Sequence, residues 1–118
     1  MNSEKHQELR TRTKTFALRV IRMSQALPRN REANVILNQA LRSATGIAAN
    51  YRAAGRSRSK AEFIAKIGVV VEEADETVFW LEMLADSGIV SPAKLDNLLA
   101  EATELVAIFT ASRKTARS

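Results

Sequence analysis

The sequence predicts an all-α protein, an antiparallel up-down-up-down four-helix bundle built as a single domain of residues 1–118. The chain contains only four Gly and two Pro, and 5% of its residues are aromatic, which favours helices because strands select β-branched and aromatic residues. Apolar residues recur at spacings of three and four in four consecutive segments. Short connectors join these segments, so we expect sequential helices to be antiparallel neighbours.

The first two predicted helices span about residues 4–27 and 31–55. Pro28 ends the first, because proline disfavours a helical conformation in the residue before it. Asn30 is a candidate N-cap for the second. The predicted core residues are Leu9, Phe16, Val20, Met23 and Leu27 in the first helix, and Leu37, Leu41, Ala44, Ile47, Ala48 and Tyr51 in the second.

The third and fourth predicted helices span about residues 60–87 and 92–113. Ser59 and Glu62 have the spacing of a capping box at the start of the third, and Gly88 is a candidate C-cap. The fourth begins at Pro92, after the candidate N-cap Ser91. The predicted core residues are Phe63, Ile67, Val70, Ala74, Val78, Leu81 and Ala85 in the third helix, and Leu95, Leu98, Leu99, Ala102, Leu105, Val106 and Phe109 in the fourth.

Some apolar residues of the third helix lie outside its core stripe and predict a subunit interface. At about 100° per residue, Phe79 and Met83 point nearly opposite to the stripe, while Val69 and Trp80 lie on its flank. A monomer would expose them to water, whereas a second copy would cover them. The alternative is a thick bundle in which the helix ends or the tail cover Trp80.

Charge is distributed unevenly along the chain, whose net charge is +5. Residues 1–60 contain thirteen Lys and Arg against three Glu, while the remaining residues contain five basic and ten acidic side chains. This asymmetry predicts a polyanionic partner for the first half, an electrostatic match between the two halves, or both.

The residue inventory excludes most enzyme classes. The chain has no Cys, and His6 is its only His, so one chain cannot assemble a Ser-His-Asp triad, a Cys-His dyad or a histidine-rich metal site. The cluster Glu72, Glu73, Asp75 and Glu76 lacks the Glu-x-x-His pairs of di-metal bundles. We expect these acids to pair with arginines of the first two helices or of a neighbouring subunit. No catalytic residue, metal or cofactor is expected.

The sequence contains no apolar run long enough for a membrane span, and its first residues are polar and charged. We therefore expect neither a membrane partner nor a signal peptide. The absence of Cys fits a cytoplasmic protein.

Basic residues form two predicted stripes. Lys5, Arg12 and Arg19 are spaced by seven on the first helix. On the second helix we expect Arg42 to share a flank with Arg52 and Arg56, and Arg58 and Lys60 to continue that flank through the joint to the third helix.

These stripes are candidates for contact with a nucleic-acid backbone. Arginine donates two parallel hydrogen bonds to phosphate, and the helix start at Ser59 adds oriented amides. Tyr51 is the one aromatic residue among the arginines, so we expect binding dominated by backbone charge. Solvated helix faces with intramolecular pairs are the alternative. The predicted nucleic-acid-binding residues are Arg12, Arg19, Arg52, Arg56, Arg58 and Lys60.

One longer motif begins with Ser43-x-x-x-Ile47-Ala48-Ala49-Asn50, continues through basic residues to Glu62-Phe63-Ile64, and ends in an acid-rich stretch at Glu76. In this motif the sequence resembles the four-helix-bundle family encoded in 23S rRNA intervening sequences. Relatives of that family include the accessory variability determinant of diversity-generating retroelements. The sequence departs from the family pattern at Ala53-Ala54, where Glu-Gly is usual, at Arg56, where a Gly is usual, and at Glu72-Glu73, where Gly-Ser is usual.

The resemblance implies a non-enzymatic protein that assembles as a homopentamer with a central channel and a basic surface. It also implies nucleic acid and a reverse transcriptase or other protein as partners. Taking residues and resemblance together, we expect an oligomeric helical-bundle protein that binds RNA or DNA non-specifically. The alternative is a scaffold or adaptor that binds only protein and uses its basic surface to pair with acidic subunits or partners.

Overall fold

Four helices account for most of residues 3–118, the part of the chain that the computed structural model describes. They are α1 (Ser3–Gln25), α2 (Arg31–Ala54), α3 (Lys60–Asp86) and α4 (Pro92–Arg117), and these residues contain no strand. Sequential helices pack against one another, while α1 and α4 touch only lightly. The bundle measures 44 × 22 × 20 Å. This confirms the all-α four-helix fold; the first two residues of the predicted domain lie outside the described part.

Two helix ends differ from the prediction. Helix α1 ends at Gln25, two residues before the predicted end at residue 27. Helix α4 continues to Arg117, four residues beyond the predicted end at residue 113. The last buried core residue of α4 is Phe109, so apolar periodicity gives no signal for the final turns. The last turn contains the basic residues Lys114 and Arg117, whose positive charges interact favourably with the negative end of the helix dipole.

The predicted caps are confirmed in part. The side chains of Asn30 and Ser59 each accept a hydrogen bond from the backbone amide three residues later, at 2.9 and 3.1 Å. Gly88 adopts a φ of 78° just after α3, in the left-handed region where glycine commonly ends helices. The prediction was wrong for Glu62, which does not complete the capping box within the described part. Ser91 occupies the N-cap position of α4 as predicted, although its side chain makes no capping hydrogen bond.

One continuous apolar core joins the four helices. Most predicted stripe residues are buried in it, and Met23, Leu27, Leu41, Phe63, Val78, Ala85, Leu99 and Val106 lie half-buried at its edge. The fully buried Thr77 hydroxyl donates to the Ser43 hydroxyl at 2.9 Å across the α2–α3 seam. The Glu73 side chain lies over Gly46, three residues after Ser43, and occupies the space that a Cβ at Gly46 would take. The hydroxyl pair thus links α2 to α3 inside the core.

None of the four described helices combines the length and the apolar character that crossing a membrane requires.

Candidate nucleic-acid interface

A groove with basic walls runs along the seam between α1 and α2; we call it the basic groove. Its volume is about 440 Å³. Because residues three and four apart share a helix face, each helix presents one row to the seam. The groove has room because small residues line its middle. The lining residues are Gln7, Arg10, Thr11, Lys14, Ala17 and Leu18 of α1, and Thr45, Ala48, Ala49 and Arg52 of α2.

Three cations of the basic groove have no acidic partner. Arg10, Lys14 and Arg52 are exposed, and no side chain that lines the groove is acidic. No carboxylate of residues 3–118 forms an ion pair with any of them. Arg10 and Lys14 are one helical turn apart, so their Cβ atoms lie roughly 5–6 Å apart. The groove therefore offers positive charge from both helices to a chain of phosphates.

The predicted residue Arg12 lies on a different face and binds acids of its own chain. Its Nε and Nη2 donate to the two carboxylate oxygens of Glu101 at 2.8 and 2.7 Å, and Nη2 also lies 3.0 Å from Glu104. The hydrogen bond from Arg12 lowers the pKa of Glu101, and the positive charge of Arg19 acts in the same direction. The stripe predicted at Arg12 and Arg19 therefore faces α4, where acidic residues match it.

The prediction that Arg42 shares a flank of α2 with Arg52 and Arg56 is wrong. Arg42 faces α3, where it pairs with Glu76 and lies 3.4 Å from Glu73. Ten residues separate Arg42 from Arg52, which at about 100° per residue places them on different sides of α2. The hydrogen bond from Arg42 lowers the pKa of Glu76. Pairing of the α3 acids with an arginine of the second helix is thus confirmed for Glu73 and Glu76.

Exposed basic residues continue at the joint between α2 and α3. Arg56 and Arg58 form no ion pair within the described part of the chain. Lys60, the first residue of α3, donates through Nζ to the Ser118 carbonyl oxygen at 3.3 Å. Arg52 lies one turn before Arg56, so the joint extends the positive surface at the end of the basic groove.

Arg10 and Lys14 are the groove residues that the sequence analysis missed. Their spacing of four, together with Gln7 three residues earlier and Ala17 three residues later, marks a second face of α1. The regular spacing of seven at Arg12 and Arg19 was a more prominent pattern. It identified the basic face on which Arg12 is neutralised by two acids of α4.

The single histidine packs in a row of aromatic rings that joins three helices. His6 Nδ1 lies 3.0 Å from the hydroxyl oxygen of Tyr51, and the Tyr51 ring lies 5.0 Å from that of Phe109. Burial, followed by the charge of Arg10, lowers the pKa of His6, and burial raises the pKa of Tyr51. Within residues 3–118, no group of acidic or histidine side chains is placed to hold a metal ion.

Apolar residues on the outer face of α3 form an exposed surface that we call the α3 patch: Val69, Phe79, Trp80 and Met83. The exposed fractions of Val69, Phe79 and Met83 are 39%, 50% and 36%. Trp80 is half-buried; its ring lies edge-on to Phe79 at 4.9 Å, and its Nε1 donates to Glu76 at 3.3 Å. Phe79, Trp80 and Met83 thus lie together on the surface of this chain, while Val69 lies ten residues before Phe79, about 15 Å away along the helix.

These features define a small four-helix-bundle protein with a cationic groove between its first two helices. The model of the 23S rRNA-intervening sequence protein family matches residues 5–111, and the chain belongs to this family. The chain is also similar to a solved structure, a protein of unknown function from the S23 ribosomal protein family of Bacteroides thetaiotaomicron VPI-5482. The two are 30% identical with a TM-score of 0.82, over 89% of this chain and 97% of that one. No curated protein matches this sequence.

Proposed function

We propose that this protein is a non-enzymatic, self-associating, cytoplasmic helical bundle that binds the backbone of RNA or DNA through its basic groove. The observation that carries the proposal is the set of three unpaired cations, Arg10, Lys14 and Arg52, on the two walls of one groove. Other arginines of the same helices, Arg12 and Arg42, are neutralised by acids of α4 and α3. The groove charges carry no ion pair within residues 3–118 and are therefore available to an external partner.

The chemistry of the groove favours recognition of phosphate over recognition of bases. Arg10 and Arg52 each present a planar guanidinium that can donate two parallel hydrogen bonds, and Thr11 adds a hydroxyl donor. The Thr45 hydroxyl already donates to the Leu41 carbonyl oxygen at 2.7 Å. No aromatic side chain lines the groove, so it has no surface on which bases would stack. Binding should therefore be tolerant of sequence and strongly dependent on salt.

Arg56 and Arg58 extend the proposed surface past the end of α2. They are exposed and carry no internal ion pair within residues 3–118, so they meet the same criterion as the groove cations. Arg12 does not meet it, because its guanidinium is bound to Glu101 and Glu104. We accordingly assign the main phosphate contacts to Arg10, Lys14 and Arg52.

A salt series of binding measurements tests this function. Labelled mixed-sequence RNA and DNA oligomers are titrated with wild type and with the triple variant Arg10→Gln, Lys14→Gln, Arg52→Gln. Each lost phosphate contact should reduce the slope of log K against log salt by about 0.9 for duplex DNA and about 0.7 for single strands. The triple variant should lower the slope by about 2 on single strands and by about 2.7 on duplex DNA, and it should weaken binding at low salt by roughly tenfold or more.

A control variant with the same loss of positive charge tests whether binding depends on where the charges lie or only on how many there are. Arg29→Gln, Arg31→Gln, Lys94→Gln removes the same charge from exposed positions near the start of α2 and of α4, outside the basic groove. It should bind nearly as wild type does. Equal losses in the two triple variants would refute the groove assignment, and an absence of binding by wild type at low salt would refute nucleic-acid binding itself. The protein-binding scaffold would then be the remaining function.

Self-association is proposed on a different observation, the α3 patch. Phe79 and Met83 are large, exposed and adjacent on one helix face, and a second copy would remove them from water. Sedimentation of wild type at high micromolar concentration tests this part, and a monomer there would refute it. The pentamer is the assembly expected from the family resemblance.

A further inference from the structure

A second groove opens between α1 and α4, at the end of the bundle where α2 meets α3; we call it the apolar groove. Its volume is about 640 Å³. Buried core residues Leu9, Tyr51 and Ile67 form its floor, and the half-buried Phe63 and Ile108 form part of its walls. At this size it falls within the range of about 300–1,000 Å³ typical of occupied protein pockets. The groove therefore extends inward from the surface to the edge of the buried core.

The groove is open because the last turns of α4 carry small side chains. Ala111, Ser112, Thr115 and Ala116 line it on the α4 side, where larger residues would reach α1. This agrees with the light contact between α1 and α4. The groove is open to solvent, and a partner lying in it would remove its apolar walls from water. Nothing in residues 3–118 fills it.

The same chain carries an apolar surface without a partner, the α3 patch. Its two large exposed side chains, Phe79 and Met83, are of a size to enter the apolar groove. They cannot reach the groove of their own chain. Phe63 lies at the groove, and Phe79 is sixteen residues further along the same straight helix, about 24 Å away at 1.5 Å per residue.

The two surfaces are also complementary in charge. The charged side chains that line the apolar groove are Lys5 and Lys60. The α3 face around Phe79 is acidic. Residues spaced by three, four or seven share one side of a helix. At these spacings from Phe79 lie four exposed acidic residues: Glu72, Asp75, Glu82 and Asp86. A patch entering the groove would bring these acids to the groove's lysines.

We propose that the α3 patch of one copy occupies the apolar groove of the next copy, so that subunits join head to tail. The proposal rests on the self-association proposed above and names the surface that receives the patch. Because the two contacting surfaces differ, each copy keeps one patch and one groove for further neighbours. A contact of this type generates a closed ring when its rotation closes, and an open filament otherwise.

Mixing two variants tests the pairing of patch and groove. Phe79→Glu disables the patch, and Ala111→Glu places an acid in the groove; both positions are exposed, so the fold should persist. Each variant alone should sediment as a monomer at a concentration where wild type is assembled. An equimolar mixture should form a one-to-one dimer, because one variant retains its groove and the other its patch. Thr103→Glu, at an exposed α4 position outside the groove, should assemble like wild type.

The outcomes separate this proposal from the one on which it rests. If Ala111→Glu assembles like wild type, the groove is not the receiving surface, while self-association stands. If the mixture stays monomeric, the contact is not head to tail. If wild type is itself a monomer at high micromolar concentration, both proposals fail. Circular dichroism checks that each variant is as helical as wild type, and Thr115→Glu, at another exposed position of the groove, repeats the test if Ala111→Glu loses helicity.

Discussion

The Arg12–Glu101 ion pair should contribute measurably to stability, unlike a typical surface pair. It joins α1 to α4, the two helices that touch least, and both guanidinium nitrogens involved lie within 2.8 Å of a carboxylate oxygen. The side chains are 30% and 17% exposed. Exposed pairs contribute about 0.2–1 kcal/mol, and breaking a buried pair costs about 3–5 kcal/mol. For this half-buried bidentate pair we expect a coupling free energy of about 1–2 kcal/mol.

A double-mutant cycle isolates this coupling from other effects of each substitution. Wild type, Arg12→Gln, Glu101→Gln and the double variant are unfolded in urea and followed by circular dichroism at pH 7 and one fixed protein concentration. The fixed concentration matters because assembly would shift apparent stability. Arg12 also contacts Glu104, so Arg12→Gln alone should cost more than the coupling to Glu101.

The chain provides its own control pair. Arg31 and Glu32 lie 2.9 Å apart, but their side chains are 89% and 63% exposed, so solvent screens their attraction. The same cycle on this pair should give a coupling too small to resolve, because both charges are solvated. If the Arg12–Glu101 coupling is no larger than that of the control pair, burial and bidentate geometry do not strengthen it, and our reasoning is refuted.

Three further predictions follow from the described contacts. Arg12 lowers the pKa of Glu101 from its ordinary value of 4.5. The contribution of this carboxylate to the free energy of unfolding is therefore complete above that pH, and it is lost as pH falls through the lower folded-state value. Glu101→Gln should flatten the acid limb of a pH-stability curve, and an unchanged limb would contradict this. Thr77→Val should lower the urea-unfolding free energy by about 1 kcal/mol, because the Ser43 hydroxyl loses its buried donor, and a neutral result would mean that the bond adds nothing. Phe109→Ala empties a fully buried site and should cost about 3–5 kcal/mol by the same assay; a cost below about 1 kcal/mol would show that the site is not tightly packed.

The helices and their core were predictable from the sequence because burial imposes a period. Within each helix, apolar residues recur at spacings of three and four. Phe16 of α1, Ile47 of α2 and Leu105 of α4 belong to these patterns, and each is fully buried in the observed core. The end of α4 at Arg117 was not predictable, because its final turns border the apolar groove and the solvent instead of filling the core. Periodicity carries no information where no core constrains the residues.

The candidate site was predictable only in part, because a sequence gives the number of charges but not their partners. Arg12 and Arg52 look alike in the sequence, yet one faces two glutamates of α4 and the other faces the basic groove. Which of the two is free depends on long-range packing. Arg10 and Lys14 were missed for the same reason, since their value as a site comes from lying opposite Arg52.

The charge of each helix explains why the cations of the basic groove form no ion pair within residues 3–118. By sequence, α1 and α2 carry more basic than acidic residues, whereas α3 carries seven acidic residues against two basic ones. The α2–α3 seam thus joins opposite charges and neutralises Arg42, and two glutamates of α4 neutralise Arg12 on the α1–α4 side. The α1–α2 seam joins the two most basic helices, with six basic residues against two acidic ones in α1 and three against one in α2. The proposed partner surfaces therefore use different seams, and a ring assembled through α3 and the apolar groove would leave every basic groove open. Several grooves on one assembly would bind one nucleic-acid chain with increased avidity, so loss of assembly should weaken binding even though the groove itself is unchanged.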